Sequence, residues 1–428
     1  MTTSALPEVD LPGGTTAVHD EAAEEAFWEV IADPSADDPY TGYRLIRERA
    51  PVLRTGDGTL VLTGHAGCDA ALRHRALGKG PQMFELQFTD LPPDQLKRML
   101  DRVGDSMLMA NPPEHTRLRR LVSDAFTPRH VADLTAAVNA RAEQFLDPLT
   151  EAGGGDFMRV FAMAFPMNVI ADLLGVPDGD RDYLTPLLYT ATALLSPGID
   201  PETAASALNA QAEATDYFTG LLADRRARSG DDLLSRLVRS RERDALTDEE
   251  TISTALILFG AGFETTTNLL GNSLHALMHH PGQLARLAAR PDTIPAAVEE
   301  FLRYDPPFQL DVRIVLEPLA FAGARLEPGQ MVITVLGAAN HDPAVYTDPE
   351  SLDTTRYLTT GTAAVPHMSF ASGIHYCLGA HLTRLELVTA LTRLLARHPA
   401  PRPAAPPTRR PGLALRGYNH LPVRLDPA

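Results

Sequence analysis

The stretch Phe-Ala-Ser-Gly-Ile-His-Tyr-Cys-Leu-Gly, residues 370–379, holds one of the chain's two cysteines, Cys377, between glycines and two residues after His375. Gly373 and Gly379 let the backbone turn tightly and bring amide donors near the sulfur, which stabilises a thiolate and moderates its electron donation. Gly379 also opens a helical pattern whose positive end lowers the thiol pKa. Four chemistries compete for such a cysteine. A small core residue in a tight turn needs no reactivity at all. Ligation of haem iron uses the thiolate as an electron donor. Nucleophilic catalysis needs a base in contact with the sulfur, and on an extended segment His375 lies on the same side but two residues along. Zinc needs further Cys or His partners, which the neighbourhood lacks.

Other groupings carry charge at helical or strand spacing. Glu300 and Arg303, in EFLR, lie one turn apart and can pair. His115 and Arg119, in NPPEHTRLRR, share a helix face as two donors suited to an anion, or form a solvated basic face. Arg313 sits inside the strand-like run DVRIVL, where burial demands a partner. In AGFETT, Ala261 and Gly262 are small residues in mid-helix, serving tight packing or close approach of a ligand. Thr265 either bonds back to the carbonyl four residues earlier or turns its hydroxyl outward.

These residues need elements to hold them. The 428 residues, 44% hydrophobic and 22% charged, make an ordinary soluble globular composition with room for a large core. A net charge of -17 argues against nucleic acid or an anionic membrane as main partner, although Arg117, Arg119 and Arg120 form a local basic group. The N-terminus has no signal-peptide pattern, and no apolar run reaches membrane-spanning length. Cys68 and Cys377 give no disulfide framework, so a reducing, cytoplasmic location is expected, with Cys68 a packing residue.

Residues 1–37 read as a partly ordered N-terminal extension and 38–428 as one domain, mainly α with a small β region. PVLRTGDGTLVLTG predicts a strand pair turning at DG. HTRLRRLVSDAFTP predicts an amphipathic helix stopped by Pro128. SPGIDP breaks two helices as a candidate mobile loop. The pattern after Thr247, capped with Glu250, continues for roughly eight turns and predicts a helix that crosses the domain. Short strands follow from DVRIVL to QMVITVLGAA, then a last helix after the cysteine. PAPRPAAPPTRRPG is expected to be coil before a terminal strand in LPVRL.

Taken together and in order, these stretches resemble the cytochrome P450 family, in its soluble bacterial form, over nearly the whole chain from about residue 38. The cysteine loop matches the haem-binding signature at Phe370, Gly373, His375, Cys377 and Gly379; AGFETT resembles the oxygen-activation motif, and EFLR the paired Glu and Arg. The resemblance implies the triangular, mainly helical P450 prism, with haem b (iron protoporphyrin IX) as cofactor and O2 as co-substrate. Cys377 is then the thiolate ligand, with Phe370 beside the sulfur. His115, Arg119, Arg313 and His375 bind the haem propionates, with His367 either helping or an ordinary polar residue. Ala261 gives oxygen room, Thr265 orders water, and Glu264 relays protons from solvent. Glu300, Arg303 and Arg356 form a structural network. Thr266 and Thr267 have no assigned role. Two positions depart from the pattern. Ala371 replaces the usual glycine and, at negative φ, is expected to change the sulfur's surroundings only slightly, and Asn111 stands before PPEH as a cap.

The implied reaction inserts one oxygen atom of O2 into a lipophilic small molecule, by hydroxylation or epoxidation, as in the tailoring of a polyketide, macrolide or terpenoid. Electrons come from a separate ferredoxin or flavodoxin with an NAD(P)H-dependent reductase, docking on the basic helix around Arg117 and Arg120. By alignment with the family, pocket walls come from Phe84, Phe88, Leu108, Met109, Ile257, Leu258, Phe308, Gln309, Leu310, Ala414 and Leu415, together with the 186–205 turn. Two other readings stand beside this one. The first is a P450 doing desaturation, coupling or peroxide-driven oxidation; the second is a non-catalytic P450-like auxiliary partner, which predicts a lost cysteine or a damaged haem pocket.

Overall fold

The structure is a computed structural model that describes residues 6–32, 38–80, 83, 91–97, 106–195, 200–239, 246–358, 365–410, 412 and 415–426. Phe84, Phe88, Ala414 and most of the SPGIDP break lie outside the described residues. The chain folds into two compact units.

The first unit comprises Met1–Met83, Pro295–Cys377 and Arg409–Arg416. Its centre is a five-stranded sheet in the order Val52–Arg54, Leu60–Leu62, Met331–Thr334, Asp311–Val315, Leu77–Gly78. The predicted pair forms as an antiparallel hairpin with Leu53 opposite Val61, turned where Gly58 adopts φ +89. Asp311–Val315 runs antiparallel to Met331–Thr334, with Arg313 opposite Val332. Alternation buries Leu60, Leu62, Val315 and Val332 with Leu72, Leu319, Phe321 and Leu336 on one face. On the other, Leu53, Val61 and Val335 pack against Phe27, Tyr43 and Ile46 of the helices Glu21–Ala32 and Tyr40–Arg49. The N-terminal segment takes part: Glu8–Val9 pairs in parallel with Leu319–Phe321, and Val18 bridges Leu53.

The second unit comprises Phe84–Ile294, Leu378–Thr408 and Gly417–Ala428. It is built on the helix Asp248–His279, whose Thr247 and Glu250 form the expected capping box. At 32 residues it extends about 48 Å. Its middle and C-terminal turns are buried nearly all round, because Ala164–Leu174, Pro201–Ala227 and Ala380–Arg397 pack against it.

Local chemistry differs from expectation at several points. Pro128 does not stop the preceding helix, which ends at Ser123; with Thr127 as cap it opens the helix Pro128–Asp133, where a missing N–H is harmless. Asn111 is not a cap, since Pro113 occupies that position without a side-chain bond. The Pro-rich segment contains two short strands, Arg402–Pro403 and Thr408–Arg409, the first paired with Pro422–Arg424.

Candidate functional site

The cysteine loop belongs to the first unit and is fastened along its length. Asn340 grips its start, accepting from the Met368 amide at 2.6 Å and donating to Ser369 Oγ at 2.8 Å. Ser372 Oγ donates to Asp69 Oδ1 at 2.7 Å, tying the loop to the helix His65–Arg73. Gly373 has φ +71, and a Cβ there would come within 2.4 Å of the Leu72 carbonyl oxygen, so no other residue fits without moving that helix. Gly373–His375 form a short 3-10 turn rather than an extended strand. His375 and Cys377 therefore do not share the strand face that would aim a base at the sulfur. The Cys377 amide donates to the Phe370 carbonyl at 2.9 Å, closing the loop, and Cys377 itself is only partly buried. Phe370 is buried, beside His367 at 5.4 Å between rings. His367 Nε2 lies 3.3 Å from Glu299.

Ala371 is not at negative φ. It adopts φ +55, in the left-handed region where a side chain is strained. The turn that presents the cysteine thus requires a glycine-like conformation that this chain fills with alanine.

Behind the loop, Glu300 and Arg303 form a wholly buried, two-pronged pair at 2.8 Å and 2.8 Å. Arg356 Nε reaches the same carboxylate at 2.9 Å, and the Asp353 amide donates to it at 2.9 Å. Arg303 also donates to the carbonyls of Asn340 and Pro349, so the network fixes the segment carrying Ser369 and the loop. Burial opposes the Arg303 charge, but Glu300 holds the guanidinium above its ordinary value.

Arg313 is 1% exposed and has the partner its burial demands: Asp311, two residues earlier on the same strand face, whose Oδ2 lies 2.8 Å from Nη1. The alignment is not that of a hydrogen bond, and neither terminal nitrogen of Arg313 makes one. Lys79, 5% exposed, pairs with Asp311 Oδ1 and donates to the Val312 carbonyl at 2.9 Å. Burial tends to raise the Asp311 carboxyl, but Arg313 and then Lys79 hold it below the usual range; burial brings the Lys79 ammonium down to about 8. Lys79 and Asp311 are absent from the sequence reading. The readable signal was Asp311 at strand spacing from Arg313; Lys79, in the run ALGKG, carries no such mark.

In the second unit, His115 is buried and Arg119 half-buried, one turn apart on the helix Glu114–Ser123. Arg117, on the same helix, is engaged by Glu114 and Glu250 rather than displayed as a bare cation, while Arg120 is exposed. Ala261 is exposed and Gly262 has Ile170 carbons 3.2 Å from the position of a Cβ. Thr265 takes the back-bonded alternative, donating to the Ala261 carbonyl at 3.0 Å. Glu264 is buried, 2% exposed. A second carboxyl, Glu386 on Ala380–Arg397, is also 2% exposed and lies against Thr266; burial raises its pKa well above the ordinary value, which favours the neutral acid, and Thr266 opposes the rise. Gly379 occupies the cap position of that helix.

A cavity of about 960 Å3 lies against the first half of the long helix, lined by Ile252, Ser253, Leu256 and Ile257, by Gln211, Thr215, Thr219 and Leu222 of Pro201–Ala227, and by acidic residues including Glu249. Ile257 thus lines open space, whereas Leu258 and Met109 are buried and Leu108 is exposed. In the first unit, Phe308 and Leu310 are partly buried, Leu415 is buried and bridged to Phe308, and Gln309 is fully buried, donating to the Pro306 carbonyl at 2.7 Å and to Tyr40 at 3.2 Å. Cys68 is a core residue donating to the Leu62 carbonyl at 3.3 Å, its thiol pushed far up by burial. Among the described residues no three His, Cys, Asp or Glu side chains gather to hold a metal ion, and no helix is long and apolar enough to cross a membrane.

Comparison with known proteins adds an independent line. The profile of the family described as Cytochrome P450 matches residues 209–399. The chain is 37% identical over 405 residues to Cytochrome P450 107B1 of Saccharopolyspora erythraea, covering 92% of this chain and 96% of that protein. It is 36% identical over 404 residues to the 6-deoxyerythronolide B hydroxylase of the same organism, covering 91% and 96%. Among solved structures, P450BioI in complex with an acyl carrier protein ligated to hexadec-9Z-enoic acid superposes with a TM-score of 0.83 at 31% identity, covering 91% of this chain and 99% of that one.

Proposed function

Because this chain is a monooxygenase of the cytochrome P450 family, with the family's fold and its dependence on haem iron and O2, we propose that it hydroxylates or epoxidises a lipophilic small molecule, with haem b bound through the Cys377 thiolate. The observation that carries this reading is the cysteine loop: Cys377 is partly accessible at the end of a turn that Gly373 and Asp69 lock in place. Thiolate-ligated haem iron supplies the activation of O2.

The remaining roles fall to side chains of the protein. Phe370 packs beside the sulfur and shields it from water. Arg313 fits a haem propionate, since its buried guanidinium has terminal nitrogens that make no hydrogen bond, and His375 is a second donor on the same unit; His115 and Arg119 are a further pair of donors suited to a propionate through charge-assisted bonds. Thr265 spends its proton on the Ala261 carbonyl, so its oxygen is left as an acceptor that can hold a water in place. Glu264, buried one residue earlier, is the group that passes a proton on. Glu300, Arg303 and Arg356 keep the loop's base rigid.

The cavity bears on the substrate class. Its wall combines apolar Ile252, Leu256 and Ile257 and polar Gln211, Thr215, Thr219 and Ser253 with the charged Glu114, Arg226, Asp248, Glu249 and Glu250; the apolar stretch on the long helix supports a lipophilic molecule such as a polyketide, macrolide or terpenoid. Similarity to the 6-deoxyerythronolide B hydroxylase and to a polyketide biosynthesis cytochrome P450 supports a biosynthetic hydroxylation. Electrons reach the enzyme from a separate ferredoxin or flavodoxin and its NAD(P)H-dependent reductase in the cytoplasm. Arg117 is engaged by Glu114 and Glu250, and Arg120, exposed on the same helix, belongs to the face proposed to meet an acidic donor.

The test is the absorption spectrum of the reduced, carbon monoxide-bound protein. The long-wavelength Soret band of thiolate ligation is expected in the wild type and lost in Cys377→Ser. Its absence from haem-loaded wild type would overturn the assignment of Cys377.

A further inference from the structure

The buried cluster on the strand Asp311–Val315 holds more charge than one propionate contact needs. Lys79, Asp311 and Arg313 have side chains 5%, 8% and 1% exposed. Lys79 and Arg313 therefore share the Asp311 carboxylate in a water-poor setting, and His375 lies near enough to bear on that same carboxylate. Buried charges of this kind are stable only when their remaining hydrogen-bonding positions are filled.

The geometry also determines how Arg313 is presented. A free carboxylate meeting a guanidinium closes a bidentate pair through two nitrogens of one edge. Here Asp311 Oδ1 is taken by Lys79, which is itself anchored on the Val312 carbonyl at 2.9 Å. Only Oδ2 approaches Arg313, at 2.8 Å from Nη1, and Nη2 makes no hydrogen bond.

We propose that Lys79 and Asp311 are positioning residues that keep Arg313 from closing on its own neighbour and turn its remaining edge toward a carboxylate of the cofactor. Lys79 does this by occupying one oxygen of Asp311. The proposal rests on the haem reading above.

A double-mutant cycle on the full-length holoprotein tests it, with transfer of haem to excess apomyoglobin as the readout. Lys79→Met frees Asp311 Oδ1 to capture Arg313, and haem should leave about ten- to a hundredfold faster, the range for losing one charge-assisted hydrogen bond. In an Arg313→Met background the Lys79 substitution should change the rate less than about twofold, because the residue through which it acts is gone. A wild-type rate in Lys79→Met, or rate effects that multiply in the double variant, overturns the proposal. Should Arg313→Met not be recovered with haem, wild type and Lys79→Met reconstituted with haem dimethyl ester, which has no carboxylate, must lose it at equal rates; a persisting difference overturns the proposal. Wild type that takes up no haem overturns the haem reading and this inference together, whereas haem-loaded wild type matched by Lys79→Met overturns the inference alone.

Discussion

Ala371 stores strain where the cysteine is presented. At φ +55 an alanine pays about 1–2 kcal/mol that glycine does not, partly offset by glycine's greater freedom in the unfolded chain. Ala371→Gly should therefore raise stability by about 0.5–1 kcal/mol, seen as a thermal midpoint a degree or two higher; an unchanged or lower midpoint would refute the strain. The sequence pointed to this position as a departure but not to its sign, because a one-letter code carries no φ. The same limit applies to Thr265, for which two hydrogen-bond states were open until the bond to Ala261 appeared. Thr265→Ala should leave haem content unchanged and lower product formation by about a hundredfold, measured as product per NAD(P)H consumed, if the hydroxyl holds the water that carries a proton. Equal coupling in the variant would remove Thr265 from the mechanism.

Among elements, the pairing of the long helix with Ala380–Arg397 carries a pH-dependent cost. Glu386 is buried against Thr266 and its folded pKa lies well above 4.5. A carboxyl raised in this way contributes stability fully below its unfolded pKa and loses it as pH rises toward the folded value, at about 1.4 kcal/mol per unit. Glu386→Gln has no such dependence. Its thermal midpoint, relative to wild type, should climb between pH 5 and pH 8, and a constant difference would show that the acid is not held neutral. Element type was readable where period and punctuation agree, as in Asp248–His279 with its capping box. It was misread where a proline does two jobs: Pro128 marks the end of one pattern and is also the first residue of the next helix. Glu386 escaped notice because a glutamate in a helix is ordinary until the neighbouring helix covers it. The Lys79–Asp311 pair was hidden likewise, since 232 residues of chain separate its members.

For the whole molecule, order in the chain proved more informative than composition. Motifs as distant as His115, Thr265 and Arg313 each sit on the element their local pattern implies, and family membership explains their order. The expected partly ordered extension has a definite task among its described residues. Glu8–Val9 covers the strand Leu319–Phe321, while Val18 accepts from the Arg54 amide at 2.8 Å and donates to Val52 at 3.0 Å. Without residues 1–20, both sheets of the first unit would present bare backbone donors and acceptors to other chains. The shortened protein should keep its haem spectrum yet scatter light increasingly with concentration; a monodisperse solution at millimolar protein would show the segment to be dispensable. A stretch that reads as loosely organised would then act as a guard against self-association, because its described residues occupy edges of two sheets that other chains could otherwise extend.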